Sequence, residues 1–97
     1  MIAPEGELDL YSVHALVAQF DEAVAMDCLH VILDLSAATL VDSTALGAIV
    51  RIQHRFDRQG RRLSVVAPNG SVAAVLLELS GLRLRFSVFR SRDAALA

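Results

Sequence analysis

Hydrophobic positions along the chain recur at two spacings, one typical of helices and one typical of strands. Residues 13–26 carry the first helical pattern, and Ser12 precedes them as the predicted N-cap. Residues 29–35 are apolar and rich in β-branched side chains, which predicts a strand buried on both faces of a parallel sheet. Residues 36–41 are expected to form a connection. The first helical pattern rests on Val13, Leu16, Val17, Phe20 and Val24.

The same alternation continues beyond residue 42. A second helix is predicted from an N-cap at Ser43 to a stop near Gly60, and residues 62–66 form the next predicted strand. Ser71 then caps a third helix that ends at Gly81. The apolar stripe of this third helix is expected to consist of Val72, Val75, Leu76 and Leu79.

Towards the carboxyl terminus, Leu84, Phe86 and Val88 alternate with polar residues, which predicts an edge strand with one solvated face. Ser91 is placed to cap a short final helix. At the other end, residues 2–8 favour a strand, but Pro4 lacks the N–H that a sheet interior requires. The first element is therefore expected to be short or truncated.

Strands that alternate with helices of this length predict a single α/β domain over residues 1–97, with a mostly parallel sheet and right-handed crossovers. At 97 residues and 55% hydrophobic content, one core suffices without disulfides, and Cys28 has no partner cysteine. No signal peptide and no membrane-spanning segment is recognisable. These features together favour a cytoplasmic protein.

Charge is divided unevenly along the chain, although the formal net charge is only −2. Residues 1–50 hold eight acids and no Arg or Lys, whereas residues 51–97 hold nine arginines and three acids. This asymmetry either steers a charged partner or cancels when the halves pack together, and cancellation is favoured. Nucleic-acid binding is not expected, because the total is acidic and no aromatic series accompanies the arginines.

Candidate chemistry is concentrated in the segment from Asp42 to Gly47, where a loop enters the second helix. Such loops at the carboxyl ends of parallel strands commonly meet ligands and partners. From position alone, Ser43 is a capping serine. Gly47 lies inside the first turns, where glycine costs about 1 kcal/mol relative to alanine, so we expect this helix to lie close against a neighbouring backbone.

Four short motifs occur in an order and approximate spacing that resemble STAS domains, specifically bacterial anti-sigma factor antagonists. The motifs are Gly6-Glu7-Leu8-Asp9, Leu33-Asp34-Leu35, Asp42-Ser43-Thr44-Ala45-Leu46-Gly47 and Ser80-Gly81-Leu82. The resemblance covers residues 6–97 and implies a sheet of four or five strands with helices packed mainly on one side.

The resemblance also implies a function. In that family, the serine after the Asp of the Asp-Ser motif is phosphorylated by an anti-sigma factor that is an ATP-dependent serine kinase. The unphosphorylated antagonist binds this kinase and releases the sigma factor, and a serine phosphatase restores the binding form. The phosphoacceptor would be Ser43, with Thr44 as the second candidate. The partner-binding residues implied are Asp9, Asp34, Asp42, Ser43, Thr44, Ala45 and Leu46.

Several of these residues also have purely structural interpretations. Asp9 is a candidate cap for the first helix, and Asp34 a candidate acceptor for loop amides. Arg51, Arg55 and Arg58 form a stripe along the second helix, which is either a solvated face or a docking edge for an acidic partner.

Two features depart from the family pattern. Ala45 replaces a common glycine, which adds a methyl group at the contact surface. Only five residues precede Gly6, so the first edge strand is expected to be short or missing. An unpaired edge of this kind is a route to a homodimer.

Enzyme motifs, a cofactor-binding loop and metal-ligand spacing are not recognisable, so no enzyme activity, cofactor or metal is expected. A STAS module that serves as a subunit or scaffold of a lipid-transport, transporter or stress-signalling assembly, without a phosphorylation cycle, remains the first alternative. A small ligand-binding or hydrolytic domain is the second.

Overall fold

The chain forms five strands and four helices, and the computed structural model describes all 97 residues. The strands are β1 (Gly6–Leu8), β2 (His30–Asp34), β3 (Ala38–Val41), β4 (Arg62–Val66) and β5 (Ser87–Phe89). The helices are α1 (Val13–Ala25), α2 (Ser43–Arg58), α3 (Val72–Ser80) and α4 (Arg92–Leu96), with a 3₁₀ turn at Leu82–Leu84. None of the helices combines the length and the apolar character needed to cross a membrane.

Every strand pairing is parallel, as the sequence predicted. β2, β4 and β5 form one sheet in that order, while β1 pairs with β3. A single bridge between Ile2 and Leu33 joins the two groups, so residues 2–8 run beside the continuous path of β2 and β3. The outer side of residues 2–8 has no partner strand, which leaves an open edge.

The main core lies on one face of the sheet, where α1, α2 and α3 pack. Its centre is an edge-to-face contact between Phe20 of α1 and Phe56 of α2, with ring centroids 5.7 Å apart. On the opposite face, α4 covers Ile32 and Val66 with Ala95. The expected architecture, with helices mainly on one side of a mostly parallel sheet, is therefore confirmed.

Two strand predictions were wrong. Residues 38–41, expected to be a connection, form β3 because they pair with β1. The carboxyl-terminal strand begins at Ser87 rather than near Arg83, since Gly81 ends α3 in a left-handed conformation and a 3₁₀ turn follows. The alternation of Leu84 and Phe86 therefore spans a turn, and it does not indicate a strand.

The predicted stripe of α3 was also wrong. The buried residues are Ala73 and Leu77, whereas Val72 and Val75 are about half exposed and Leu79 is largely exposed. This helix is apolar on most of its circumference, so spacing alone could not identify the buried face. The capping predictions at Ser71 and Ser91 are confirmed by hydrogen bonds from Ala74 N and Ala94 N.

Candidate functional site

The candidate site lies where β1 and β3 end side by side. Leu8 and Val41 are parallel partners at the last position of these strands, so Asp9 and Asp42 follow at the same edge of the sheet. The Asp42 N–H donates to the carbonyl of Leu8, and this hydrogen bond joins the ends of the two strands. The loop before α1 and the first turn of α2 therefore share one rim.

Asp42, and not Ser43, is the N-cap of α2, which corrects the prediction. Its backbone is extended, and its Oδ1 accepts a hydrogen bond from Ala45 N at 2.8 Å. Its Oδ2 accepts from Leu10 N at 3.0 Å, so one carboxylate caps the helix and also anchors the neighbouring loop. Ser43 is displaced from the cap because its backbone is already helical.

Ser43 and Thr44 are the first two helical residues of α2, and both are exposed. Neither hydroxyl is used in an intramolecular hydrogen bond, and the backbone N–H groups of both residues lack an acceptor within the protein. Free N–H groups at a helix N-terminus, together with the helix dipole, favour an anion at that position. A phosphate on Ser43 would meet these groups.

Asp9 shapes the loop beside Ser43. Its Oδ1 accepts hydrogen bonds from Tyr11 N and Ser12 N, both at 3.0 Å. The Ser12 hydroxyl donates to the carbonyl of Glu7 at 2.8 Å. The prediction that the Ser12 side chain caps α1 was therefore wrong. The carboxylate of Asp9 takes over that role at the entrance of α1.

Leu10 and Tyr11 belong to the site, although the sequence interpretation passed over them. Their side chains are 54% and 87% exposed, next to the loop amide that Asp42 holds. Exposed aromatic side chains on an anchored loop are typical anchors of protein interfaces. The available signal was a Leu-Tyr pair in the short loop between β1 and α1.

Ala45 and Leu46 lie on the inner side of the first turn of α2. Ala45 is fully buried in the main core, so its methyl group does not reach the contact surface that was expected. Leu46 is partly buried and lines a narrow apolar cleft together with Ala73 and Leu76 of α3. Val72, the residue before Ala73 at the start of α3, is 45% exposed.

Gly47 has no close backbone neighbour, contrary to the expectation. A Cβ atom built at this position would meet only the Arg51 guanidinium, at 3.6 Å. Glycine here is therefore not required by the packing of the chain itself.

Asp34 does not join the rim. It is buried beside α4, where it accepts hydrogen bonds from the N–H and hydroxyl of Ser36 and forms an ion pair with Arg92. Burial alone would raise the pKa of this carboxyl, but the hydrogen bonds from Ser36 and the Arg92 charge outweigh burial and lower it. A partner could reach the Asp34 carboxylate only by displacing Arg92.

The arginine stripe of α2 divides into two kinds of residue. Arg55 forms an ion pair with Asp21 of α1 at 2.6 Å and so links two helices. Arg51 is exposed, forms no ion pair and lies beside Gly47. At 1.5 Å per residue, Arg51 is about 12 Å and Arg55 about 18 Å along the helix from Ser43.

Comparisons with known proteins agree with this architecture. A sequence family described as "STAS domain" matches residues 1–95. The anti-sigma F factor antagonist of Paenibacillus polymyxa is 33% identical over 78 residues, which are 79% of this chain and 66% of that protein. The chain thus spans about two thirds of the length of this curated relative.

Solved structures show the same fold. An anti-sigma factor antagonist from Mycobacterium paratuberculosis superposes with a TM-score of 0.83 at 24% identity, covering 97% of this chain and 79% of the other. A putative anti-sigma factor antagonist from Thermotoga maritima gives a TM-score of 0.82 at 29% identity, covering 96% and 80%.

Proposed function

The chain belongs to the STAS domain family, and from that premise we propose that it is an anti-sigma factor antagonist switched by phosphorylation of Ser43. The unphosphorylated form binds a cognate anti-sigma factor serine kinase, which then releases its sigma factor. Phosphorylation of Ser43 ends this binding, and a serine phosphatase restores it. The observation that supports this proposal best is that Ser43, the first residue of α2, is exposed and its hydroxyl forms no hydrogen bond within the protein.

Access to Ser43 suits a phosphoryl transfer carried out by a partner enzyme. The Ser43 Oγ would form a bond to the γ-phosphorus of ATP, the bond to the departing ADP would break, and the hydroxyl proton would pass to a base on the kinase. Because Asp42 caps the helix, no hydrogen bond of the fold has to break for Ser43 Oγ to react. Thr44 is exposed in the same turn and is the second candidate acceptor.

Phosphorylation should leave the fold intact. A phosphate carries about −1.5 to −2 charges at neutral pH. Near the free N–H groups of Ser43 and Thr44, such a charge gains about 0.3–1 kcal/mol from the helix dipole at an exposed site. The repulsion from Asp42 opposes this gain. The net effect on the free energy of unfolding is therefore small.

Binding, by contrast, should change strongly. The proposed docking surface consists of Leu10, Tyr11, Ser43, Thr44, Leu46 and Val72. It combines the Ser43 hydroxyl with exposed apolar and aromatic groups that a partner would desolvate. Burying an unpaired dianion there costs several kcal/mol, which corresponds to a loss of affinity of about 100-fold or more.

Tyr11 offers a direct test of this docking surface. Because its side chain is 87% exposed, Tyr11→Ala should leave the free energy of unfolding unchanged within about 0.5 kcal/mol. An anchor of this kind contributes about 2 kcal/mol or more to binding, so the affinity for the kinase should fall at least tenfold in calorimetric titration. Met26→Ala, at an exposed residue just after α1, is the matched control. Equal affinities of the two variants for the kinase would show that Tyr11 is not part of the docking surface.

The experiment that tests the proposal combines the protein, ATP and the candidate kinase, with mass spectrometry to map the phosphate. Phosphate on Ser43 that disappears in Ser43→Ala supports the proposal, and phosphate on Thr44 alone would move the switch by one residue. Ser43→Ala should bind the kinase constitutively, and Ser43→Asp should bind it weakly. Binding without any phosphate transfer would instead favour the scaffold alternative.

A further inference from the structure

A second candidate site lies between α3 and β5, apart from the rim that carries Ser43. The α3–β5 cavity encloses about 130 Å³, and its polar wall consists of Asn69, Gly70, Glu78, Arg83 and Arg90. The loop that follows β4 forms one side of the cavity, so it opens at the carboxyl ends of β4 and β5. This end of a parallel sheet is where ligands commonly bind. Asp42, Ser43 and Tyr11 are not among its lining residues.

The donors of this cavity are unused within the protein. Neither Arg83 nor Arg90 takes part in an ion pair. The backbone N–H groups of Asn69 and Gly70 likewise have no intramolecular acceptor. Two arginines without an ion-pair partner and two residues with free backbone amides therefore line a common space, and guanidinium and amide donors together recognise oxyanions.

The surrounding charge also favours an anion. Residues 82–92 carry four arginines and no acid, and only Arg92 is neutralised, by Asp34 on the other face of the sheet. Unpaired positive charges grouped in this way raise the local concentration of anions, more strongly at low ionic strength.

The volume of the α3–β5 cavity and the charged residues in its wall limit the class of ligand that it can bind. A cavity of 130 Å³ is well below the range of about 300–1,000 Å³ typical of drug-sized ligands, so it suits a small anion. Two guanidiniums match a dianion better than a monocarboxylate. Glu78 provides the only carboxylate of the wall, and it can accept a hydrogen bond from a hydroxyl group on the anion.

We propose that the α3–β5 cavity binds a phosphate group, either as inorganic phosphate or on a small phosphate monoester. Arg83 and Arg90 hold the phosphate oxygens, the amides of Asn69 and Gly70 donate to them, and Glu78 accepts from the P–OH group of hydrogen phosphate. A monoester would direct its organic part away from this polar wall.

The test is a titration of the full ¹⁵N-labelled chain with potassium phosphate, followed by NMR at constant ionic strength maintained with potassium chloride. The amide resonances of Asn69, Gly70, Arg83 and Arg90 should shift and saturate together. In an Arg83→Gln/Arg90→Gln variant, the affinity should fall at least tenfold. Arg62→Gln, which removes another unpaired arginine at the opposite end of β4, should titrate like the wild type.

Two further probes make the result decisive. Glycerol phosphate that shifts the same resonances more tightly than inorganic phosphate assigns the site to monoesters, and the reverse order assigns it to the free ion. Acetate that binds as tightly as phosphate would overturn the proposal. Shifts that are linear, spread over all surface arginines or unchanged in the double variant would overturn it as well. No kinase is present, so this outcome is independent of the proposed switch at Ser43.

Discussion

At the scale of single residues, the rim assigns two tasks to two neighbouring residues of the Asp-Ser motif. Asp42 maintains the structure, because its two carboxylate oxygens hold the first turn of α2 and the loop at Leu10. The Ser43 hydroxyl is exposed and forms no hydrogen bond within the protein. A neighbouring pair of this kind allows the chemistry of the hydroxyl to change while the helix remains capped.

This separation predicts different costs for the two alanine variants. Asp42→Ala should lower the free energy of unfolding by about 1–2 kcal/mol, because the cap and its link to Leu10 are lost. Ser43→Ala should change it by less than about 0.5 kcal/mol, as for an ordinary surface position. Urea unfolding followed by circular dichroism measures both. A larger loss in Ser43→Ala than in Asp42→Ala would show that Ser43, and not Asp42, caps α2.

Asp34 predicts a pH dependence. Its pKa is lowered in the folded state, so its contribution to stability is present above the ordinary Asp pKa of about 3.9 and is lost as the pH falls through the lower folded value. Asp34→Asn should therefore cost about 1.5–3 kcal/mol at neutral pH, the range for hydrogen bonds to charged groups. The difference from the wild type should shrink on acidification.

Urea unfolding near neutral pH and near pH 3 measures this difference. The control is Glu22→Gln, which removes an exposed acid that forms no ion pair and should differ little from the wild type at either pH. A difference in the free energy of unfolding between Asp34→Asn and the wild type that grows towards acid pH would contradict a lowered pKa of Asp34 in the folded state.

At the scale of elements, the sequence was informative wherever caps and strand composition acted locally. β4 and the Ser71 and Gly81 boundaries of α3 occur as predicted, since each depends on nearby side chains and backbone geometry. β3 was missed because its four residues become a strand only by pairing with β1, about 30 positions earlier in the chain. Likewise, the buried face of α3 depends on its position against β3 and α2, which its nearly uniform apolar composition does not encode.

Glycines provide a matched comparison between two elements. Gly47 lies inside α2 with room for a methyl group, so Gly47→Ala should raise the free energy of unfolding by about 0.5–1 kcal/mol. Gly81 ends α3 at a φ of +73°, where a side chain is strained, so Gly81→Ala should lower it by a similar or larger amount. Thermal unfolding distinguishes the two, and a destabilised Gly47→Ala would reveal a packing constraint in α2.

At the scale of the whole molecule, the uneven charge of the two halves is partly cancelled by packing. All three ion pairs join an acid of the first half to an arginine of the second: Asp21 to Arg55, Asp27 to Arg61 and Asp34 to Arg92. The remaining arginines stay unpaired and are available to partners or anions. The sequence favoured cancellation, and the three ion pairs achieve it only in part. Which arginines remain free depends on the packing of helices that are distant in sequence.

The residues of the candidate site could likewise be predicted only in part from the sequence. The Asp-Ser motif pointed to the loop between β3 and α2, where Ser43 is exposed. Leu10 and Tyr11 were missed because the parallel pairing of β1 with β3 brings them beside α2. Asp34 was grouped with the rim because it ends a strand, but its carboxylate lies on the face of the sheet that α4 covers. Contacts between strand ends, rather than motif order, decide which residues form the surface.

A switch at Ser43 is tested most sharply by titrating the unphosphorylated chain, and the same chain phosphorylated at Ser43, calorimetrically into the cognate kinase. Affinity should fall by about 100-fold or more, because a dianion replaces a neutral hydroxyl at the contact. Circular dichroism should meanwhile show an unchanged fold. Equal affinities of the two forms, or weaker binding accompanied by unfolding of α2, would contradict a switch that acts at the interface.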